Sequence, residues 1–465
     1  MTTLSDLDLT EMIALLSKKE ITATEVAESC LDAVARYEGE LNAFISLDAE
    51  KVIEQSRRID AAEDRDGGPF LFGAPVAIKD LIDAAGEVTT HGSSFFRNAP
   101  AAESDASVVA ALRENGAIVF GKTNLHEFAW GGTTENPHFG NCKNPWNPDY
   151  SPGGSSGGSG AAVASRMVPG ALGTDTLGSV RIPSSFCGIV GLKPTYGLIS
   201  TWGVFPLGYT YDHVGPMART VADAKRLLEA MLPPLDRQKL LRKTEGKRPK
   251  PKGDKPLKGL KIACMPELVS EKTCHKSVYK HYLKAVDYLR EDGAEIVEER
   301  IPGIETALMV GYVMTLSQAA EIHHERLAEN PDGFGDDVRE LLESGHLFSA
   351  VDYIRAQRAR SKLVDLAKRS MEKVDAWIWP TTPAPAQRIG ESSGADLAMF
   401  TGPVDVIGFP SIALPSGLTD DRLPVSVQVV AEPFAEYRLF DLAAVLENRL
   451  CFPKDPPDWV KNRNR

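Results

Sequence analysis

Apolar residues recur at three- and four-residue spacing through most of the first 65 positions. TEMIALLSKKEI, TATEVAESCLDAVARYEGELNAF and DAEKVIEQSRRIDAAE each follow that period, and each has a Thr or Asp at or near its start that can cap a helix. The pattern predicts a helical N-terminal segment over 1–65. GAPVAIKDLID then breaks the period. Its short apolar run from Pro75 to Ile78 reads as a buried strand ending at Lys79. DASVVAALRENGAIVFGKTN reads as helix, turn and strand, with Gly116 where the helix should stop. Farther on, GLKIACMPE, SVYKHYLKAVDYLREDG and AEIVEERIP alternate as strand, helix and strand. The stretch 305–373 is mostly helical in pattern. DAWIWPTTP, PSIALPSG and LPVSVQVVAEP read as strands, and EYRLFDLAAVLENRLC as a final amphipathic helix. Helices and strands interleaved in this way predict an α/β fold, a sheet covered by helices.

Two stretches carry linker-like composition. From about 131 to 220 the chain is rich in Gly, Ser and Pro, but apolar pieces such as AAVAS, VRIP and IVGL interrupt it, and flexible linkers lack those. The segment LRKTEGKRPKPKGDKPLKG, 241–259, is dense in Lys, Arg and Pro and reads as a solvated surface excursion.

Composition narrows the class. The chain has 465 residues, 43% of them hydrophobic and 25% charged, enough for a large core. No stretch approaches the roughly 20 apolar residues of a membrane span. The N-terminus lacks the basic start and apolar run of a signal peptide. A formal net charge of −12 argues against nucleic acid as a partner. The six cysteines form no CxxC pair, which fits reduced thiols in the cytoplasm. His323 and His324 are adjacent, so on a helix they diverge, and no HExxH spacing occurs. No metal and no cofactor is expected.

Three segments carry candidate chemistry: AIKD around Lys79, SPGGSSGGSG over 151–160, and GTDTLGSVRIPSSFCG over 173–188. A lysine buried at a strand end has its charged form penalised, so it can serve as a base. A serine among glycines can be a nucleophile if a base is near, with backbone N–H groups open to a carbonyl oxygen. Each signal alone has a duller reading, a surface lysine or a structural turn. They become chemistry only if the segments converge.

GGSSGGSGAAVA followed by GTDTLGSVRIPSSFCGIVGLKPTYG resembles the signature of the amidase signature family. FGAPVAIKDLID, GAIVFGKTNLHEFAWGGTTEN, DHVGPMARTVADA and LPVSVQVVAEPF are similar to that family's segments in the same order. The resemblance spans nearly the whole chain and is densest over 70–225. It implies one large α/β domain over 1–465, with a mixed central β-sheet covered by helices on both faces, and a Ser–cis-Ser–Lys triad in which Lys79 is the base, Ser155 the relay after a cis peptide, and Ser179 the nucleophile. It also implies oxyanion or substrate contacts from the backbone of Thr176, Leu177, Gly178 and Ser179, and from Ala129. Leu177 departs from the family pattern, which has a second glycine there, and leucine disfavours positive φ. Asp175 and Arg181 read as holding the nucleophile loop, Asp80 as structural. A Ser-His-Asp arrangement would have to recruit His126 or His213 from outside these segments.

The implied activity is hydrolysis of a linear carboxylic amide to acid and amine through an acyl-enzyme. Trp202, Phe205, Tyr209 and Tyr211, with Phe128, Trp130, Tyr312 and Met314, are the candidate pocket residues, and they suit an aryl or hydrophobic acyl amide, with esters or carbamates as further substrates. The expected partner is a small-molecule amide, without nucleic acid or membrane, and the resemblance leaves room for a homodimer. Two alternatives stand beside this reading. One is the glutaminase component, the A subunit of an aminoacyl-tRNA amidotransferase; the other is a non-catalytic binding protein on the same scaffold.

Overall fold

The first three helices follow the apolar period. They run Leu9–Ser17, Ala23–Leu41 and Ala49–Asp60. Thr22 accepts a hydrogen bond from the Glu25 N–H at 3.1 Å while Glu25 accepts one from the Thr22 N–H at 2.7 Å, a reciprocal cap. The helix Ala23–Leu41 buries Val26, Cys30, Val34, Tyr37 and Leu41. It ends at Asn42, whose left-handed φ of 50° turns the chain out of the helix. The apolar period continues past that point and predicts helix there, but the chain instead enters a three-residue strand, Phe44–Ser46. A computed structural model describes residues 3–61, 70–244, 255–391, 395–453, 457 and 459–460.

Eleven strands make one mixed sheet. In chain order they are β1 (Phe44–Ser46), β2 (Pro75–Lys79), β3 (Ile118–Thr123), β4 (Gly170–Asp175), β5 (Val190–Lys193) and β6 (His213–Ala218), then β7 (Lys261–Cys264), β8 (Glu295–Glu298), β9 (Ala376–Pro380), β10 (Ser411–Leu418) and β11 (Pro424–Val430). Their spatial order is β1-β3-β2-β4-β6-β5-β10-β11-β9-β7-β8. β2 runs parallel to both β3 and β4, and β7 parallel to β8 and β9; the other pairs are antiparallel. Every residue of β2, β3, β4, β6, β9 and β11 is buried. Alternate residues point to opposite faces, so helices must cover both.

The centre of the Gly-, Ser- and Pro-rich region lies in the interior of the molecule. Every residue from 151 to 178 is buried. The region supplies the helices Gly157–Ala164 and Arg181–Cys187 with β4 between them. The far half of the sheet is held by large apolar rings, with Trp377 stacked on Phe409 at 5.6 Å between centroids. The basic stretch 241–259 begins in the helix Pro234–Thr244, and its positions 245–254 lie outside the described residues. Among the described residues, no helix is long and apolar enough to cross a membrane.

The topology puts the three chemistry-bearing segments together. Ile78 of β2 pairs with Leu172 of β4, so Lys79 and Thr174 leave the sheet at neighbouring carboxyl ends. In open α/β sheets that is where ligands are received.

Candidate active site

Lys79 is fully buried at the end of β2. Its Nζ donates to Ser155 Oγ at 2.7 Å and to Thr174 Oγ1 at 2.8 Å. Burial lowers its pKa from the usual lysine value to about 7, against the carboxylates of Asp175 and Asp212, which raise it. Much of it is therefore neutral near pH 7. The peptide between Gly154 and Ser155 is cis. A side chain at Gly154 would collide with the Thr133 backbone nitrogen, so only glycine lets the loop 131–133 lie against this bond. Ser156 closes the corner. Its hydroxyl donates to the Thr174 carbonyl at 3.2 Å and accepts from the Thr174 N–H at 3.2 Å, and its own N–H reaches the Ser179 carbonyl at 3.3 Å.

Ser179 stands at the head of the helix Arg181–Cys187 and is half-buried, while its neighbours are buried. Among the described residues its hydroxyl makes no hydrogen bond, to Ser155 or to any other group. The loop before it is held from below. Arg181 binds Asp175 through Nε at 3.0 Å and Nη2 at 3.1 Å, and also reaches Asp405 at 2.5 Å, Gln428 at 2.9 Å and the Thr401 carbonyl at 3.1 Å. Burial alone would raise the Asp175 pKa, but the Arg181 guanidinium prevails and holds it well below the usual carboxylate range. Asp405, with less of that guanidinium, is pushed well above its usual value by burial.

The carboxylate of Asp175 also takes the N–H groups of Val180 and Arg181, at 3.2 and 3.3 Å. The N–H groups of Leu177, Gly178 and Ser179 have no acceptor among the described residues. They form a cluster of open donors beside the serine. The positive φ expected to trouble Leu177 falls instead on Gly178, at 134°. A side chain there would run into Thr401 Oγ1. Thr401 in turn donates to the Leu177 carbonyl at 2.7 Å. The Leu177 side chain is 9% exposed and packs with Tyr211, Met314, Ala356 and Ala398 into an apolar wall flanked by Leu308, Tyr312 and Tyr353.

Ala129 lies on the loop that wraps Ser155, where the His126 N–H donates to the Ser155 carbonyl at 3.1 Å. The Ala129 N–H is engaged by the His126 carbonyl at 2.8 Å, so its own carbonyl is the group left to meet a substrate. Phe128 and Ala129 both hold positive φ, 50° and 61°, a strained pair just after the His126 contact to Ser155.

The two histidines weighed for a Ser-His-Asp arrangement are occupied elsewhere. His126 binds Asp337 at 2.8 Å through Nε2 and Thr133 at 3.3 Å through Nδ1. His213 binds Lys193 at 3.1 Å and the Asp175 carbonyl at 3.1 Å. His323 points into a ring cluster with Phe128 and Phe205. Asp80, read as structural, pairs with buried Lys122 at 2.8 Å. Among the described residues no group of His, Cys, Asp or Glu could hold a metal ion.

The aromatic candidates divide. Tyr211, Tyr312 and Met314 stand in the wall around Leu177. Phe128, Trp130 and Phe205 belong to a separate cluster. Trp202 is 62% exposed and Tyr209 52% exposed. Four residues of the site escape a reading of the sequence. Thr174 and Asp212 both sit inside segments quoted for the resemblance, so the signal is at hand. Gln428, 247 positions beyond Arg181, also sits in such a segment, LPVSVQVVAEPF, whereas nothing local marks Asp405, 224 positions beyond Arg181.

The family model described as Amidase matches residues 25–440. The A subunit of a glutamyl-tRNA(Gln) amidotransferase from Koribacter versatilis is 36% identical over 470 aligned positions, covering 94% of this chain and 97% of its own. A solved chain described with a vestigial protein complex, bearing on the origins of an s-triazine catabolic enzyme, superposes with a TM-score of 0.87 at 31% identity, over 95% of this chain and 98% of that one. A solved amidase superposes with a TM-score of 0.84 at 33% identity, over 95% of this chain and 100% of that one.

Proposed function

The chain belongs to the amidase family, enzymes that act at carbon–nitrogen bonds, and from that premise we propose that it cleaves a carboxylic amide through an acyl-enzyme on Ser179. One contact supports this reading above the others: the 2.7 Å hydrogen bond from a buried Lys79, with its pKa near 7, to Ser155. Neutral Lys79 accepts the Ser155 proton as Ser155 accepts that of Ser179. The Ser179 oxygen bonds to the amide carbon, and the carbonyl oxygen takes up negative charge facing the Leu177, Gly178 and Ser179 N–H groups. The C–N bond breaks as the relay returns the proton to the leaving nitrogen. Water then attacks the ester and releases the acid.

For the substrate, the sequence relatives move the balance. They are named as the A component of an amidotransferase, and so favour glutamine as an ammonia source, with partner subunits, over the stand-alone hydrolysis of aryl or hydrophobic amides. One observation keeps the second reading in play: the side chains packed beside the nucleophile loop, around buried Leu177, are apolar, an environment suited to an acyl or aryl group. Free thiols at all six cysteines accord with a cytoplasmic site of action. The test is to purify the tagged chain from its native cell and assay glutamine against a panel of anilides and aliphatic amides, for wild type and Ser179→Ala. Copurifying subunits with glutamine deamidation support the amidotransferase reading. Anilide turnover by the chain alone, with glutamine untouched, supports the second. Undiminished turnover by Ser179→Ala on every substrate refutes both.

A further inference from the structure

Asp212 is the acid of this site that no motif reading names. It lies just before β6, at the end of the aromatic segment 205–211. Its Oδ1 accepts the Thr176 hydroxyl at 2.6 Å and the Gly208 N–H at 2.9 Å; its Oδ2 accepts the Leu207 N–H at 2.9 Å. Thr176 is the residue that starts the row of open backbone donors leading to Ser179. One carboxylate therefore ties that row to the turn at 207–208, where Gly208 lies close against the Thr176 methyl group. The same carboxylate is one of two near Lys79. The other, Asp175, is already committed to Arg181.

We propose that Asp212 is a positioning residue of the reaction, holding Thr176 and the oxyanion-binding backbone in register while its negative charge acts on the Lys79 amine. The inference rests on the reading of Ser179, Ser155 and Lys79 given above. It makes two claims that a merely structural carboxylate would not. The first is geometric: the donor row moves if the Thr176–Asp212 bond is lost. The second is electrostatic: Asp212 favours the charged form of Lys79, so its removal makes Lys79 available as a base at lower pH. The charged groups facing Lys79 are Asp175 and Asp212, and its hydrogen-bond partners are the neutral hydroxyls of Ser155 and Thr174. Asp175 remains in place in the variants used.

The test uses the full chain and a fluorophosphonate probe, which reports attack by Ser179 whatever the natural amide is. The second-order labelling rate is measured from pH 5 to 9 for wild type, Asp212→Asn, Thr176→Val, Thr176→Ser and the double variant Thr176→Val/Asp212→Asn. Asp212→Asn is expected to lower the plateau rate at least tenfold and to move the acidic limb toward lower pH. Thr176→Val is expected to lower the plateau several-fold without moving the limb, Thr176→Ser to restore the rate to within a few-fold of wild type, and the double variant to label no more slowly than Asp212→Asn. An Asp212→Asn plateau within twofold of wild type, or an acidic limb that stays put, overturns the proposal. Circular dichroism checks folding. Should Asp212→Asn fail to fold, the Thr176 pair decides, and equal plateaus for wild type and Thr176→Val overturn it. Ser179→Ala serves as the separate control: if it still labels, the nucleophile assignment has failed, and with it the premise, independently of what Asp212 does.

Discussion

Acid should silence this site in a calculable way. An ordinary lysine, with a pKa of about 10.4, is neutral in only about 4 molecules in 10,000 at pH 7. With its pKa lowered by burial to about 7, about half the Lys79 amines are neutral at that pH, a gain of roughly a thousandfold in the working base. The labelling rate of Ser179, or kcat/KM on any accepted amide, is expected to follow the neutral fraction: a midpoint at about pH 7, a tenfold fall per unit below about pH 6, and roughly 1% of the plateau left at pH 5. The same shift leaves a mark on stability. Between about pH 7 and 10.4 the unfolded chain holds a proton that folded Lys79 does not, so stability rises with pH across that window. Lys79 contributes of the order of 5 kcal/mol to that rise, the product of the shift and about 1.4 kcal/mol per unit. Lys193, lowered by burial to about 8, titrates in the same window, so the comparison must be with Lys79→Met. That variant is expected to lose turnover and also to lose this part of the pH dependence in urea-unfolding midpoints. An activity profile that is flat from pH 5 to 9, or equal slopes of stability with pH for the two proteins, would refute the assignment of Lys79 as a desolvated base.

Three other perturbations probe the nucleophile loop. Gly178→Ala drives a carbon into Thr401 Oγ1 at a φ of 134°, and is expected to reduce the Ser179 labelling rate at least a hundredfold and to lower the melting temperature. Arg181→Met leaves Asp175 and Asp405 without their shared cation in a fully buried place, and about 3–5 kcal/mol of stability should disappear from the urea-unfolding curve; Arg181→Lys, lacking the planar fork, should recover less than half of it. Leu177→Ala opens the apolar wall at a cost of roughly 2–4 kcal/mol in unfolding free energy, and is expected to lower KM for bulky acyl anilides while raising it for small aliphatic amides, measured with the amide panel.

What the sequence revealed, and what it hid, follows from the range of each interaction. The caps at Thr22 and Asp48 act over three residues, and the helices they begin are legible. The run from Pro75 to Ile78 is apolar because both faces are covered, and it reads at once as a buried strand ending at Lys79. Phe44–Ser46 hides because its departure from helix depends on one left-handed Asn42. The Gly- and Ser-rich region has a linker's composition, but the apolar pieces within it speak against one, and its residues from 151 to 178 are small because backbone packs on backbone there. Lys79, Ser155 and Ser179 are marked by their segments. That Lys79 also holds Thr174, 95 positions on, and that Arg181 bridges to Asp405 and Gln428, 224 and 247 positions on, is decided by sheet order; Thr174 and Gln428 lie in marked segments, but the pairings themselves leave no local trace.

With Lys79 as the base proposed above, the arrangement accounts for a site that works without an imidazole. A histidine base titrates in the needed range unaided, and its second ring nitrogen offers a handle by which a neighbouring carboxylate orients it. A lysine does neither, so the protein must supply both conditions. Full burial at the end of β2 lowers the amine into the working range, and two hydroxyl acceptors fix its direction. Burial that deep would be intolerable for the neighbouring Asp175 as well, unless a cation balanced it, and Arg181 is that cation. Arg181 is also the second residue after Ser179, so the charge that stabilises the acid is covalently tied to the nucleophile. Asp405, Gln428 and the Thr401 carbonyl then fix the guanidinium from the opposite half of the sheet. The loop carrying the open N–H donors is thus clamped at Thr401 on one side and Asp212 on the other before any substrate arrives. Such donors need no reorganisation when charge develops on the amide oxygen, which is the condition under which a short row of backbone N–H groups is worth most.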